Sequence, residues 1–215
     1  MTLHSLTFLN GPVFDGTTLR GGLAARFEDG ALVALGPEAE VGRAGAVVDL
    51  EGDILSPGYV DLQVNGGGGV MLNDDPSVET LDRIARAHRG LGVAALLPTL
   101  ITDTAEKSRA AINAARQAVR EGIPGIAGLH LEGPHLSQAR KGAHDAGLIR
   151  PMEATDLERL LAAAQDLPVL KITLAPESVT VEQVQALSRA GVLVSLGHTD
   201  AGFDTCERYI AAGAR

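Results

Sequence analysis

The feature that most constrains the fold is a regular alternation of apolar runs and amphipathic segments from Pro57 onward. Each apolar run is short and continuous, which is typical of a parallel strand covered by helices. The predicted strands are Tyr59–Val64 and residues 93–100, 126–131, 169–174 and 192–196. The predicted helices are Val78–Arg89, Ala105–Arg120 and residues 157–164, 181–190 and 203–212. The pattern predicts about five βα units joined by right-handed crossovers.

Two of these helices begin with a capping-box pattern, in which a Ser or Thr precedes a Glu or Gln by three residues. Thr155 with Glu158 predicts one start, and Thr180 with Gln183 predicts the other. Gly191 stands where a C-terminal glycine is expected to end the second of them.

The count of units leaves two α/β architectures open, a doubly wound open sheet and a (β/α)8 barrel. Both place polar residues at the carboxyl ends of the strands. Five units do not close an eight-stranded barrel, and an open barrel would expose its interior and two strand edges. The sheet is therefore open, or the sequence is the first part of a longer barrel protein.

The residues before Pro57 follow a different pattern of short β-segments separated by turns. Predicted strands are Ser5–Leu9 and residues 22–27, 31–35 and 46–50, with one helical turn near residues 38–43. Asp29-Gly30 between two of these runs is a strong hairpin signal. The sequence therefore predicts a small β-rich domain over residues 1–56 and an α/β domain over residues 57–215.

Charge and cysteine content exclude several classes of function. The chain of 215 residues has a formal net charge of -9, whereas a broad nucleic-acid surface needs a basic face. Its one cysteine, Cys206, rules out a disulfide framework within the chain and fits a reducing cytoplasm. We find no signal-peptide pattern and no apolar window long enough to span a membrane. We therefore expect a cytoplasmic protein without nucleic-acid or membrane partners.

Two strand ends carry residues suited to metal binding. Glu132 follows the third predicted strand and precedes Gly133-Pro134, and His198 follows the fifth. Carboxylate and imidazole are ligands that Zn²⁺ and Fe²⁺ both accept. A catalytic Zn²⁺ takes three protein ligands, and only these two stand out.

The stretch Gln63-Val64-Asn65 followed by Gly66–Gly69 raises a separate question. On a strand, Gln63 and Asn65 share one face, where metal-dependent hydrolases often carry two histidines. The glycines lack the lysine and the following helix of a phosphate loop. We therefore interpret them as a loop that needs positive φ and close backbone approach.

The remaining candidates receive structural interpretations. His130, two residues before Glu132, is interpreted as structural or as a neighbour of the site, and Lys171 as part of a structural pair. His135 is either a loop residue or a pocket wall. Glu177, at the end of the fourth strand, is a candidate residue supporting the site.

Five stretches in this order, PGYVDLQVNGGGGVMLND, LPTLIT, HLEGPHLSQARKGAH, TLAPE and SLGHTDA, resemble the N-acetylglucosamine-6-phosphate deacetylases of the amidohydrolase superfamily. The resemblance covers essentially the whole chain. It implies a TIM-type (β/α)8 barrel, incomplete here, with a small N-terminal β-sandwich domain. Glu132 and His198 would be metal ligands, and Ala143 and His144 would contact the amino sugar.

The resemblance also implies what the chain lacks. A third ligand histidine and the catalytic aspartate would lie beyond residue 215, together with most phosphate contacts. Gln63 and Asn65 would replace the ligands of a second metal, which predicts one divalent ion, with Zn²⁺ favoured and Fe²⁺ left open. The implied reaction is deacetylation of an amino-sugar phosphate by a homodimer, with residues 1–215 inactive alone.

Two other functions are weighed against this one. A related amidohydrolase, such as a deaminase or a cyclic amidase, typically keeps two histidines where Gln63 and Asn65 stand. A barrel remnant without activity, acting as a scaffold or binding subunit, would need no metal. The residues that follow in the reading frame would separate these possibilities.

Overall fold

The structure, a computed structural model, describes residues 4–215 and divides into two compact units, Met1–Gly58 and Tyr59–Arg215. The first unit contains β1 (Ser5–Leu9), β2 (Val13–Phe14), β3 (Leu19–Arg20), β4 (Leu23–Glu28), β5 (Ala31–Pro37), α1 (Glu38–Val41) and β6 (Ala46–Asp49). Four strands form one sheet in the order β5-β4-β1-β6, and β2 pairs with β3. Within this unit, Leu9, Ala24 and Val41 form a small buried cluster.

The hairpin predicted at Asp29-Gly30 connects β4 and β5, which pair antiparallel. Asp29 has a φ of 49° and Gly30 a φ of 83°, the left-handed values that a two-residue hairpin turn needs at both central positions. β2 and β3, which have only two residues each, were not predicted from the sequence.

The second unit contains a parallel sheet with helices between its strands. Its elements are β7 (Tyr59–Val64), β8 (Gly66–Gly67), β9 (Val70–Met71), α2 (Val78–Arg89), β10 (Val93–Ile101), α3 (Ala105–Arg120), β11 (Leu129–Glu132), a 3-10 turn (Gln138–Arg140), α4 (Ala154–Asp166), β12 (Leu170–Leu174), α5 (Val181–Arg189), β13 (Leu193–Leu196) and α6 (Phe203–Ala211). Within the described residues, no helix is long and apolar enough to cross a membrane.

Strand order decides between the two architectures that the sequence left open. The five-stranded sheet has the order β13-β12-β11-β10-β7, so each strand lies beside the one before it in the chain. A doubly wound sheet reverses direction at a switch point, and this sheet does not. It is a curled parallel half-barrel, and its register aligns Ile101, Glu132 and Thr173 across three strands.

Apolar side chains of the strands and helices form one continuous core in this unit. Fully buried members include Leu81 and Ile84 of α2, Leu129 of β11, and Leu170 and Ile172 of β12. The apolar faces of the predicted helices are thus buried against the sheet, as their 3.6-residue spacing requires.

Two details of the predicted elements are wrong. The third strand begins at Leu129 rather than at residue 126, because Ile126 makes only an isolated bridge to Leu96. Helix α4 begins at Ala154, and not after a cap at Thr155. The Asp156 carboxylate accepts a hydrogen bond from the backbone N–H of Glu153 at 3.0 Å, which fixes the start one turn earlier. The predicted cap of α5 is confirmed, since Thr180 and Gln183 form a capping box.

The glycine run forms a hairpin instead of an irregular loop. Gly66 and Gly67 pair with Met71 and Val70, and the turn residues Gly68 and Gly69 have φ values of 61° and 83°. A Cβ on Gly67 would lie 2.9 Å from the Nε2 atom of His88, which donates a hydrogen bond to the Gly66 carbonyl at 3.0 Å. Positive φ and close approach to helix α2 thus both require glycine here.

Candidate functional site

Polar side chains from the ends of parallel strands meet at one edge of the sheet in the second unit. Glu132 is the last residue of β11, and His198 stands two residues beyond β13. Their side chains cross the end of β12, so that the Glu132 Oε1 and His198 Nε2 atoms lie 2.9 Å apart. Glu132 is buried, and the His198 side chain is 26% exposed.

The protons of His198 can be assigned from its other ring nitrogen. Nδ1 lies 2.9 Å from the carbonyl oxygen of Arg140, which can only accept a hydrogen bond. Nδ1 therefore carries a proton, and in the neutral ring the Nε2 lone pair faces the Glu132 carboxylate. Two acceptors at 2.9 Å need a proton or a metal ion between them. In metal-binding histidines, the ring nitrogen that does not bind the metal typically donates its N–H to such a partner, often a backbone carbonyl.

His144 adds a second imidazole to this cluster. One ligand atom each from Glu132, His144 and His198 lie within 4.8 Å of one another, a grouping that could hold a metal ion. The two histidine rings are edge-to-face, with centroids 4.5 Å apart. Burial, helped by the nearby His198, lowers the pKa of His144 despite the opposing charge of Glu132.

The tautomer of His144 differs from that of His198. The Nδ1 atom of His144 accepts the backbone N–H of Thr102 at 3.3 Å and lies 2.8 Å from the Thr102 hydroxyl. A neutral His144 therefore carries its proton on Nε2, which lies 3.9 Å from Glu132 Oε1. In this state His144 offers an N–H donor to the site, whereas a metal ligand needs a lone pair.

Of the two amides on β7 and just beyond it, only Gln63 reaches the cluster. Its Nε2 atom donates a hydrogen bond to Glu132 Oε2 at 2.9 Å, while Glu132 Oε1 faces His198. The side chain of Asn65 makes no hydrogen bond to the described residues. Ala143 is exposed and precedes the buried His144. Gln63 thus orients the carboxylate, a role that the sequence did not indicate.

His130 lies two residues before Glu132 on β11. The register between β11 and β12 places it directly beside Lys171. His130 is fully buried between the hydroxyls of Thr99 and Thr173, at 3.1 and 2.8 Å. Its burial, with the charge of Lys171, lowers the pKa of His130 to about 3. The interpretation of His130 as structural agrees with these contacts. Lys171 donates to the Leu62 carbonyl at 3.4 Å and forms no ion pair among residues 4–215, so the predicted pair is wrong.

Both alternatives for His135 apply, because it lies in the loop between β11 and the 3-10 turn and also lines a cavity. It is 2% exposed and, together with Asp156, lines a cavity of about 250 Å³ that is bounded by residues of α3, β11 and α4. Its Nδ1 atom donates to the Arg150 carbonyl at 3.1 Å, and burial lowers its pKa. Neither Glu132 nor His198 lines this cavity, so it is separate from the cluster.

Sequence reasoning missed two contributors to the cluster. Thr102 sets the tautomer of His144, and its only signal was a polar residue just beyond β10. The Arg140 carbonyl sets the tautomer of His198, and a backbone group gives no sequence signal.

Comparison with known proteins gives a consistent result, although no family model matches the chain. It is 49% identical over 160 residues to N-acetylgalactosamine-6-phosphate deacetylase of Shewanella sp. (strain ANA-3), covering 74% of this chain and 40% of that protein. It is 35% identical over 178 residues to N-acetylglucosamine-6-phosphate deacetylase of Haemophilus influenzae, covering 83% and 46%.

Solved structures extend the similarity to nearly the whole chain. The crystal structure of N-acetylglucosamine-6-phosphate deacetylase from Pasteurella multocida matches with a TM-score of 0.92 and 33% identity, over 98% of this chain and 55% of that one. A mutant of the Mycobacterium smegmatis enzyme, in complex with N-acetyl-D-glucosamine-6-phosphate, matches with a TM-score of 0.85 and 31% identity, over 98% and 53%. The chain spans about half the length of the relatives it matches. By sequence and by structure, the chain belongs to the family of N-acetylglucosamine- and N-acetylgalactosamine-6-phosphate deacetylases, and it corresponds to part of their length.

Proposed function

We propose that the complete protein hydrolyses the acetamide of N-acetylglucosamine 6-phosphate, giving glucosamine 6-phosphate and acetate. The observation that carries this proposal is the pair of acceptors, Glu132 Oε1 and His198 Nε2, held 2.9 Å apart at the strand ends. A cation bound by this pair could polarise the carbonyl of an amide substrate, and the relatives that share the fold are named as deacetylases.

The proposed cation is one divalent metal ion held by Glu132 and His198. Their oxygen and nitrogen donors suit Zn²⁺ and also Fe²⁺, and we favour Zn²⁺. When bound, such an ion polarises a carbonyl oxygen and makes water more acidic. In this proposal, a third ligand and the acid/base aspartate come from residues beyond 215. Gln63 and Asn65 leave no second site, because neutral amides are poor ligands for either ion.

The residues of this chain would bind and orient the substrate. His144, with its Nε2–H directed into the cluster, would donate a hydrogen bond to an oxygen of the amino sugar, and Thr102 holds it in that tautomer. The neighbouring Ala143 would pack against the sugar. Gln63 keeps the Glu132 carboxylate in one orientation by donating to its Oε2 atom.

N-Acetylgalactosamine 6-phosphate is a second candidate substrate. The Shewanella relative, at 49% identity, is named for that epimer, whereas the Haemophilus relative at 35% is named for the glucosamine one. The two sugars differ only in the configuration of one hydroxyl group. The cluster binds the acetamide in either case.

The architecture and partners of the complete protein are part of the same proposal. We propose a closed (β/α)8 barrel over the part that begins at residue 57, a β-sandwich built around residues 1–56, and a homodimer in the cytoplasm. The parallel half-barrel supports the first of these. The single cysteine fits a reducing compartment. A scaffold without activity would have no need for the acceptor pair.

The test is acetate release from both sugar phosphates by the complete protein, with unphosphorylated N-acetylglucosamine as the control substrate. We expect turnover that a chelator abolishes and Zn²⁺ restores, and a higher kcat/KM for one epimer. A separate preparation of residues 1–215 should release no acetate. Deaminase activity, or an absence of turnover with both epimers, would contradict the proposal.

A further inference from the structure

The segment that carries His198 has an unfavourable backbone conformation. His198 has a φ of 51°, a left-handed value that is uncommon for residues other than glycine. Such conformations persist where surrounding contacts hold them. The contacts around His198 therefore indicate what keeps its ring in place.

Two of these contacts come from the loop after β11. The backbone N–H of Ser137 donates to the carbonyl of His198 at 2.9 Å, and the Arg140 carbonyl accepts the Nδ1–H of the ring at 2.9 Å. The Arg140 side chain also binds the Asp200 carboxylate, with Nε and Oδ1 2.7 Å apart. One side of the segment is thus attached to its neighbouring loop.

The other side is held by Glu177, which lies just beyond β12. Glu177 Oε2 accepts a hydrogen bond from the Thr199 hydroxyl at 2.7 Å, and Oε1 accepts one from the backbone N–H of Asp200 at 2.7 Å. Glu177 uses both carboxylate oxygens on the two residues that follow His198, and among residues 4–215 it makes no hydrogen bond to Glu132.

We propose that Glu177 is a positioning residue for the metal site, because its carboxylate fixes the backbone that directs His198 toward Glu132. The inference rests on the proposed metal site and extends it to a residue that touches neither metal ion nor substrate. Outer residues that orient ligands usually change metal affinity by about 10–100-fold when they are replaced. Glu177 is exposed, so we expect an effect near the lower limit.

The chain offers variants that separate geometry from charge. Glu177→Ala removes both hydrogen bonds. Glu177→Gln keeps an oxygen for the Asp200 N–H and an amide N–H that can donate to the Thr199 hydroxyl, but it removes the charge. Thr199→Val removes one of the two hydrogen bonds without changing Glu177. Thr180→Ala is the matched control, since it removes the cap of α5 but no contact to the segment of His198.

The measurement is the affinity of the metal-free complete protein for Zn²⁺, by competition with a chromophoric chelator, alongside thermal unfolding of each variant. We expect Glu177→Ala to bind Zn²⁺ about tenfold more weakly, Thr199→Val to be weakened to a smaller extent, and Glu177→Gln to stay within about threefold of the parent protein. Thr180→Ala should unfold at a lower temperature with unchanged Zn²⁺ affinity.

The outcomes separate this inference from the proposed function. If the parent protein binds Zn²⁺ and Glu177→Ala binds it equally well, the positioning role is wrong and the metal site stands. Equal weakening by Glu177→Ala and Thr180→Ala would show a general loss of stability and would also refute it. If Glu177→Ala does not fold, unchanged affinity of Thr199→Val refutes the role. A parent protein that binds no Zn²⁺ overturns the metal site and this inference together.

Discussion

Replacement of Gln63 by leucine should weaken metal binding without preventing it. In the structure, the Gln63 amide donates to Glu132 Oε2 at 2.9 Å, while Oε1 faces His198. Leucine has a similar size but no donor, so the carboxylate becomes free to rotate away from the orientation shared with His198. Gln63 is exposed, so its replacement creates no cavity and should leave the protein folded.

The size of the effect follows from the kind of bond that is lost. A hydrogen bond to a charged group contributes about 1.5–3 kcal/mol. Loss of residues that orient metal ligands lowers affinity by about 10–100-fold, which corresponds to about 1.4–2.7 kcal/mol. The two ranges agree, so we expect the dissociation constant for Zn²⁺ to rise by about 10–100-fold in Gln63→Leu.

The assay is competition for Zn²⁺ between the metal-free complete protein and a chelator of known affinity. Asn65→Leu is the matched control, because it makes the same chemical change two residues along the chain, where the side chain has no hydrogen bond to the described residues. Gln63→Leu should bind at least about tenfold more weakly than Asn65→Leu. Equal affinities for the two variants would refute the assignment of Gln63 as the residue that orients Glu132.

Three further predictions concern metal content, substrate binding and stability. Metal analysis of the complete protein should give one equivalent of divalent metal per chain, and the Glu132→Gln variant should contain none. Two equivalents in the parent protein would contradict the single site. Thr102→Val removes the hydroxyl that lies 2.8 Å from His144 Nδ1 and should lower kcat/KM for the amino-sugar phosphate by about tenfold, since one hydrogen bond that orients His144 is worth about 1.4 kcal/mol; an unchanged kcat/KM would show that this hydroxyl does not help to orient His144. Asp156 is buried and bound by Arg150, so Asp156→Asn should lower the free energy of unfolding in urea by roughly 1.5–3 kcal/mol at pH 7, the contribution of a hydrogen bond to a charged group. Burial raises the pKa of Asp156, but its hydrogen bonds hold it below 3.8, so the difference between parent and variant should persist above pH 4 and shrink as the pH falls further.

The sequence predicted the elements of the second unit well where local pattern determines them. Val78–Arg89 and Ala105–Arg120 were predicted with their observed bounds, because an amphipathic stripe and a Ser or Thr cap mark the helix start. The predicted start of α4 was wrong because the Asp156 carboxylate, and not Thr155, binds the backbone there. That carboxylate is held in place by Arg150, six residues before it in sequence. Local patterns do not reveal which of two neighbouring polar side chains, here Thr155 and Asp156, makes the hydrogen bond to the backbone at the helix start.

Strand ends were equally informative about which residues meet. Parallel strands bring their carboxyl ends to one edge, so Glu132 and His198 could be predicted as neighbours from sequence alone. The sheet order could not, because five βα units fit both a doubly wound sheet and part of a barrel. Only the side-by-side order of the strands distinguishes these architectures.

The chemical difference between the two imidazoles of the cluster depends on backbone groups. His198 donates from Nδ1 to the carbonyl of Arg140, which leaves the Nε2 lone pair for a metal ion. His144 accepts at Nδ1 from the N–H of Thr102, which leaves an Nε2–H for a substrate oxygen. Every residue type supplies such a carbonyl or N–H, so no side chain in the sequence marks them. A motif can therefore show that two histidines share a site, but the division between ligand and donor is set by the loops on which their partners lie.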